Sequence, residues 1–432
     1  MTENVDILYR RAGELVSLAD GPVHGGVRGA ALGCAGVQHD GAIAVRDGQV
    51  VATGPDAEMA RRFVGEDELD LAGYVVVPGF VDCHTHPAFG ATREQEFALR
   101  CGGADYVEIS RQGGGILSSV RSLRATAELD LRDLVYGRLS RFLALGTTSV
   151  EVKSGYGLTT ADEQKSLEVL RDAAVGLPLT TSRTFLGAHE VAPEYRDDPQ
   201  GYLRLVIDEM LPACRELADS CDVFVEEHVF GIDASRRIGE AASALGYRLR
   251  LHVDELTPLG GAELAVELGA ASADHLAKVS ENGVRLLAES DTTAVLLPGT
   301  IFFLRKHEHA PARRLIDAGA LVALATDFNP GSCYTQSLSM IVTLARLVYG
   351  MTVAECLNAV TRNPAASLGL SDERGTLHPG KAADFVALDL PSFEAWGYAF
   401  GDNPVAMTVK DGKPVALNSA EIDPDLMERF AE

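Results

Sequence analysis

The chain has 432 residues, 46% of them hydrophobic and 23% charged, the balance of a folded globular enzyme and not of a disordered chain. Its 38 basic residues against 62 acidic ones give a formal charge of -24, a field that disfavours nucleic acid and anionic membranes as partners. An anionic substrate would need a local positive site.

From its start, MTENVDILYRR has no basic stretch followed by an apolar core, so no leader is expected. Residues 1–73 read as short strands and turns, the N-terminal part of a small β domain. The clearest signal is Ala42 to Ala52, where AIAV and QVVA flank Arg46, Asp47 and Gly48. Asp-Gly between alternating apolar runs predicts a hairpin. Gly21 to Gly41, rich in Gly and Ala, reads as loop and edge strand. Met407 to Leu417 repeats the hairpin device around Asp411 and Gly412, so residues 376–432 complete the small domain.

The middle, residues 74–375, alternates short apolar runs with helical patterns, as a parallel α/β fold does. Candidate strands are Val75 to Asp82, Thr147 to Lys153, Thr180 to Leu186, Asp222 to Glu226, Arg248 to Val253, Ser272 to His275, Thr292 to Leu297, and Leu321 to Thr326. Eight strands close a (β/α)8 barrel. The expected fold is therefore α/β, a TIM-like barrel with a small β-sandwich domain built from both chain ends. Thr160 with Glu163 and Thr352 with Glu355 match the spacing of a helix capping box. Leu167 and Leu170 fit a helix stripe packed on the barrel.

The seven cysteines are odd in number and form no C-x-x-C pair, which argues against a disulfide framework and for a reducing compartment. The longest uncharged apolar run, Thr292 to Leu304, is too short to span a bilayer. A cytoplasmic location is expected.

In such a barrel, active-site residues belong at the C-terminal ends of the strands. His84 and His86 end the first strand, His189 follows the third, His252 and Glu255 end the fifth, His275 ends the sixth and Asp327 the eighth. Alternate strand side chains share a face, so His84 and His86 point the same way. His84, His86, His252 and Asp327 together give an N/O ligand set suited to Zn²⁺ or Fe²⁺, with room for a bound water. Taken singly, His252 fits a satisfied buried histidine and Asp327 a helix cap before Asn329, Pro330 and Gly331. The joint placement favours a metal. Glu255 and His275 then stand where protons are moved and a carbonyl polarised, against plainer roles as a surface ion pair and a partner to a ligand. His24, His39, His228, His307, His309 and His378 read as structural.

His-x-His after strand one, His on strands five and six and Asp on strand eight resemble the amidohydrolase superfamily. The tail PGKAADFVALD, Pro379 to Asp389, resembles the segment by which those enzymes return to their small β domain. Within the superfamily the chain resembles the imidazolonepropionase family through HTHPAFGATREQEFALR, YVEISRQGGGILSSVR, EVKSGYGL, FLGAHEVAPEY, LHVDELTPLGGAELAVELGAASADHL, LLPGTIFFL and ATDFNPGS, which span about Gly73 to Asp389.

The resemblance implies hydrolytic opening of 4-imidazolone-5-propanoate, a small anionic substrate, to N-formimidoyl-L-glutamate in histidine degradation. It implies one Zn²⁺ or Fe²⁺/Fe³⁺ ion per subunit on His84, His86, His252 and Asp327, a metal-activated water, and a homodimer. Glu255, His275 and Asp327 would be catalytic. Arg93 would bind the substrate carboxylate, which a guanidinium fork suits, and Tyr106, Tyr156, His189, Glu255, Asn329, Gly331 and Ser332 would contact the substrate. Lys153 lies on the second strand and not the fourth, where two-metal relatives carry a carbamylated lysine, so a single-metal site follows. Cys83, Val253 and His228 depart from the family pattern, and His228 bears on the loop after strand four. The alternatives are a related aminohydrolase or iminohydrolase acting on a nucleobase or on formimidoylglutamate, and a catalytically silent barrel. Arg93 and Gly113 to Gly115 suit a small carboxylate better than a purine, and no ligand is missing.

Overall fold

The computed structural model describes residues 2–104 and 114–419. Four strands at the N-terminal end, β1 (Glu3–Leu15), β2 (Gln38–Arg46), β3 (Gln49–Pro55) and β4 (Phe63–Asp70), begin a small sheet. β5 (Val75–Pro78) continues it, and β14 (Phe385–Leu388), β15 (Val405–Lys410) and β16 (Lys413–Leu417) arrive from the other end of the chain. They join in the order β16-β15-β14-β5-β1-β2-β3, with β4 on β1. Both expected hairpins form. Asp47 and Gly48 have φ of 52° and 73°, and Asp411 and Gly412 47° and 78°, the paired positive values of a two-residue hairpin turn. Ala383 ties the two turns together, donating to the Gly48 carbonyl and accepting from Gly412 N, each at 2.9 Å.

The barrel strands run in chain order: β6 (Phe80–Asp82), β7 (Thr147–Lys153), β8 (Thr180–Ala188), β9 (Ser220–Phe224), β10 (Arg248–Val253), β11 (Ser272–His275), β12 (Thr293–Leu296) and β13 (Leu321–Leu324). All neighbours are parallel. The expected continuous strand Val75 to Asp82 is two strands in different sheets. Pro78 lacks a ladder donor, and a Cβ on Gly79 would strike the Thr148 side chain, so the chain breaks there and Gly79 N instead donates to Asp384 O at 2.8 Å. The stacked rings of Phe80 and Trp396, 5.2 Å apart, pack the small sheet's return segment onto the barrel.

Thr352 and Glu355 form the reciprocal capping box that their spacing predicts. The Thr160 box does not form. Thr159 is the cap, accepting from Asp162 N, and Glu163 turns away to accept from the backbone of Gly155, Gly157 and Leu158 at 3.0, 2.8 and 2.8 Å. Adjacent threonines offer two equivalent cap hydroxyls, and burial of Glu163 decides between them. Between Gly21 and Gly41 the chain makes a short 3-10 turn, Gly29–Gly33, and a bridge from Arg28 to Leu321 at the start of β13.

Candidate active site

The barrel closes where β6 and β13 run out. Thr85 bridges Phe328 in parallel, Asp327 N donates to His84 O at 3.0 Å, and His86 N donates to Phe328 O at 2.8 Å. Deeper in, the Asp82 carboxylate accepts from Thr326 Oγ1 at 2.6 Å. His84, His86 and Asp327 therefore stand on the closing seam itself. Asp327 has φ of 52° and His275 φ of 77°, backbone values rare outside glycine and commonest at functional sites.

Two triads share His84: one with His86 and Asp327, the other with His252 and His275, in each of which the candidate ligand atoms lie within 4.8 Å of one another. All five side chains are buried. His84 Nε2 and His86 Nε2 are 3.3 Å apart, and Asp327 Oδ1 is 3.6 Å from the first and 3.4 Å from the second. The opposite ring nitrogens are committed: His84 Nδ1 to Asp274 at 2.6 Å and His252 Nδ1 to Asp222 at 3.0 Å. Each carboxylate takes an Nδ1–H and leaves the Nε2 lone pair facing inward. Lone pairs and a carboxylate converging away from water are mutually repulsive until a cation joins them. These residues fit a metal ion.

The electrostatics agree at His84, His86 and Asp327; at His252 burial opposes the charge, but the Asp222 carboxylate outweighs it and raises the imidazole above its usual range. Burial, and next the Lys153 ammonium, keep His84 neutral well below its usual range. Burial likewise lowers His86. Burial opposes charge on Asp327, but hydrogen bonding to His86 and the neighbouring His275 bring it down to about 2. Beneath them, Lys153 Nζ sits 2.7 Å from Glu151 and 2.8 Å from Asp222, fully buried. Asp222 is buried too, yet His252 and Lys153 hold it ionised. The Glu151 carboxylate also accepts from Thr85 N, between the two strand-end histidines, at 3.1 Å.

A cleft of about 480 Å³ opens above this cluster, lined by Arg93, Tyr156, His189, Glu255, Asn329, Gly331 and Ser332 among others. The structure thus brings together the expected site residues except Tyr106, which lies outside the described residues. His189 Nδ1 is 3.0 Å from Gly155 O, and its ring stacks on His86 at 5.3 Å. Asn329 Nδ2 donates to the Asp327 side chain at 3.1 Å and to Ser332 Oγ at 2.8 Å, while its Oδ1 accepts from Gly331 N and Ser332 N. That turn is closed by its own side chain. Arg93 pairs with Glu96 at 2.6 Å. Glu255 lies 3.7 Å from His275.

Sequence reasoning passed over Asp222, Asp274 and Glu151, which hold the candidate ligands or Lys153 without touching the cleft, read Glu163 as a cap and not as the clamp of the Tyr156 loop, and missed Asp254, whose carboxylate accepts from four backbone amides of residues 259–262 behind Glu255. His228, read as structural, lines the cleft's edge. The adjacency of Asp274 to His275 was the one available signal for this layer. All seven cysteines are free. Among the described residues no helix is long and apolar enough to cross a membrane.

An eight-stranded parallel barrel carrying this His and Asp cluster at its C-terminal mouth defines the class, and the Amidohydrolase family model matches residues 75–415. The chain is 48% identical to imidazolonepropionase of Symbiobacterium thermophilum, covering 95% of this chain and 97% of that one. It is 43% identical to imidazolonepropionase of Geobacillus kaustophilus over 96% and 99% of the two chains. The chain belongs to the amidohydrolase family and, within it, to the imidazolonepropionases. Among solved structures, a zinc-bound adenosine deaminase from Xanthomonas campestris matches with a TM-score of 0.72 at 20% identity, covering 100% of this chain and 97% of that one. E. coli guanine deaminase matches with a TM-score of 0.70 at 16% identity, covering 95% and 99%. These likenesses concern the fold.

Proposed function

We propose that the chain hydrolyses 4-imidazolone-5-propanoate to N-formimidoyl-L-glutamate in histidine degradation, with His84, His86, His252 and Asp327 holding one zinc or iron ion. When bound, such an ion supplies Lewis acidity and a water whose pKa falls to about 7 in favourable sites. The buried histidines and carboxylate, with Nδ1 of His84 and His252 already engaged, hold their positions without reorganising on binding.

Arg93 takes the propionate carboxylate, oriented by Glu96. Tyr156, His189, Asn329, Gly331 and Ser332 place the ring, and Tyr106 is a further contact. His275 donates toward the ring carbonyl oxygen as negative charge gathers there. Glu255 accepts a proton from the attacking water and returns it to the ring nitrogen as the carbon–nitrogen bond breaks, with Asp327 sharing the proton's path. Lys153 stays an ammonium between Glu151 and Asp222, which supports a single ion.

The observation that carries this reading is the meeting of inward-facing imidazoles and a carboxylate beside an arginine, in a chain whose net charge is otherwise strongly negative. The test is loss of imidazolone absorbance, with elemental analysis of the same preparation. His252→Ala should abolish turnover and metal content together, and Arg93→Ala should chiefly raise KM. Ammonia released from a nucleobase or from formimidoylglutamate, with no imidazolone consumed, would overturn it in favour of an aminohydrolase.

A further inference from the structure

Lys306 lies beyond the last residue of the LLPGTIFFL stretch, in the loop that follows the helix Pro298–Phe303. Its backbone is fixed: Lys306 N donates to Ile301 O and the preceding Arg305 N to Phe302 O, each at 3.0 Å. Its side chain reaches into the same cleft as the metal cluster. There Nζ is shut off from water and makes no hydrogen bond with any described residue. Among the described residues its ion-pair partner is Glu255, with Oε1 at 3.5 Å, while Glu255 Oε2 is 3.7 Å from His275. An ammonium has three donors, and burying it with none satisfied is costly unless a ligand arrives.

The cleft therefore has two cationic stations with different neighbours. One is Arg93 with Arg100, beside Gly331, where Arg100 donates to Gly331 O at 3.3 Å and Glu96 orients Arg93. The other is Lys306, beside the pair proposed to work on the ring. On the proposed reaction, the substrate carries one carboxylate and the product carries two. The water oxygen joins the carbonyl carbon, the ring carbon–nitrogen bond breaks, and its electron pair and a proton go to the nitrogen. The acid so formed at the former carbonyl carbon ionises.

From these two stations and this change in charge we propose that Lys306 is a carboxylate-binding residue that receives the acid group created by ring opening, while Arg93 keeps the propionate group. Lys306 then distinguishes an open dicarboxylate from a closed monocarboxylate, and Glu255 between it and the ring separates the new anion from the departing amidine nitrogen. This rests on the proposed reaction, but binding alone can judge it.

Calorimetry on metal-loaded protein compares N-formimidoyl-L-glutamate with 3-(imidazol-4-yl)propanoate, a ring-closed monocarboxylate, for wild type, Lys306→Met and Lys306→Arg. Lys306→Met should weaken the dicarboxylate roughly tenfold or more, the value of a charge-assisted hydrogen bond, and the monocarboxylate by less than about threefold. Lys306→Arg should restore most of the difference. Equal losses for both ligands, no loss for either, or failure of wild type to bind the dicarboxylate would each overturn the assignment. Turnover of imidazolone propionate by wild type judges the underlying reaction separately, since the binding comparison reads Lys306 whichever way turnover falls.

Discussion

His84 and His252 can each present Nε2 to a cation only because Asp274 and Asp222 occupy their Nδ1 atoms. Asp222 also pairs with the Lys153 ammonium, so one carboxylate orients a candidate ligand and, with Glu151, neutralises the buried lysine beneath the site. Asp222→Asn keeps the shape and removes the charge. It should weaken metal affinity by about 10- to 100-fold, the usual cost of losing such a partner, as read by competition with a chromogenic chelator. Unchanged affinity with an unchanged circular dichroism spectrum would remove Asp222 from this role. The candidate ligands could be picked out in the sequence because histidines are few, 11 in 432 residues, and several fall at strand ends. Asp222 and Asp274 were not, because acidic residues number 62 and nothing in a linear pattern tells a buried one from a solvated one. Lys306 was missed because the lack of a hydrogen bond to its Nζ is a property of the folded cleft.

The loops after the strands are held by side chains of the elements that follow them. Glu163, in the first turn of the helix Thr160–Ala174, reaches back to three amides of the loop that carries Tyr156. Alternation of apolar runs and helical stripes made the barrel legible, since period and spacing are linear properties. The role of Glu163 was not, because a capping box and a loop clamp share the same spacing and differ only in which way the carboxylate turns. Glu163→Ala would leave three buried amides without acceptors. It should cost about 2 kcal/mol or more, at the usual 1–3 kcal/mol for each unsatisfied group, and raise KM through the displaced Tyr156. Urea unfolding and steady-state kinetics on the one variant check both, and a loss of stability with KM unmoved would separate the clamp from the substrate.

At the scale of the molecule, the two hairpin-bearing ends of the chain were legible as one small sheet, but the break between β5 and β6 was passed over: Pro78 and Gly79 mark it in the sequence, yet that the two halves join different sheets is set by their tertiary partners. That break matters for the metal. It sends the chain from the small sheet directly into the first barrel strand, and the barrel then closes onto its last strand through the segments that bear His84, His86 and Asp327. A bound ion therefore spans the seam, and removing it should loosen the molecule locally and not uniformly. Binding to the native state alone stabilises by about 4 kcal/mol at a free concentration 1,000 times Kd, so chelation should lower the thermal midpoint and metal return should restore it. Hydrogen exchange on the chelated protein should quicken at residues 84–86 and 326–329, while the Ala42 to Ala52 hairpin, which is held within the small sheet, keeps its protection. An unchanged midpoint, or faster exchange spread evenly over both sheets, would show that the ion is not what draws the first and last barrel strands together.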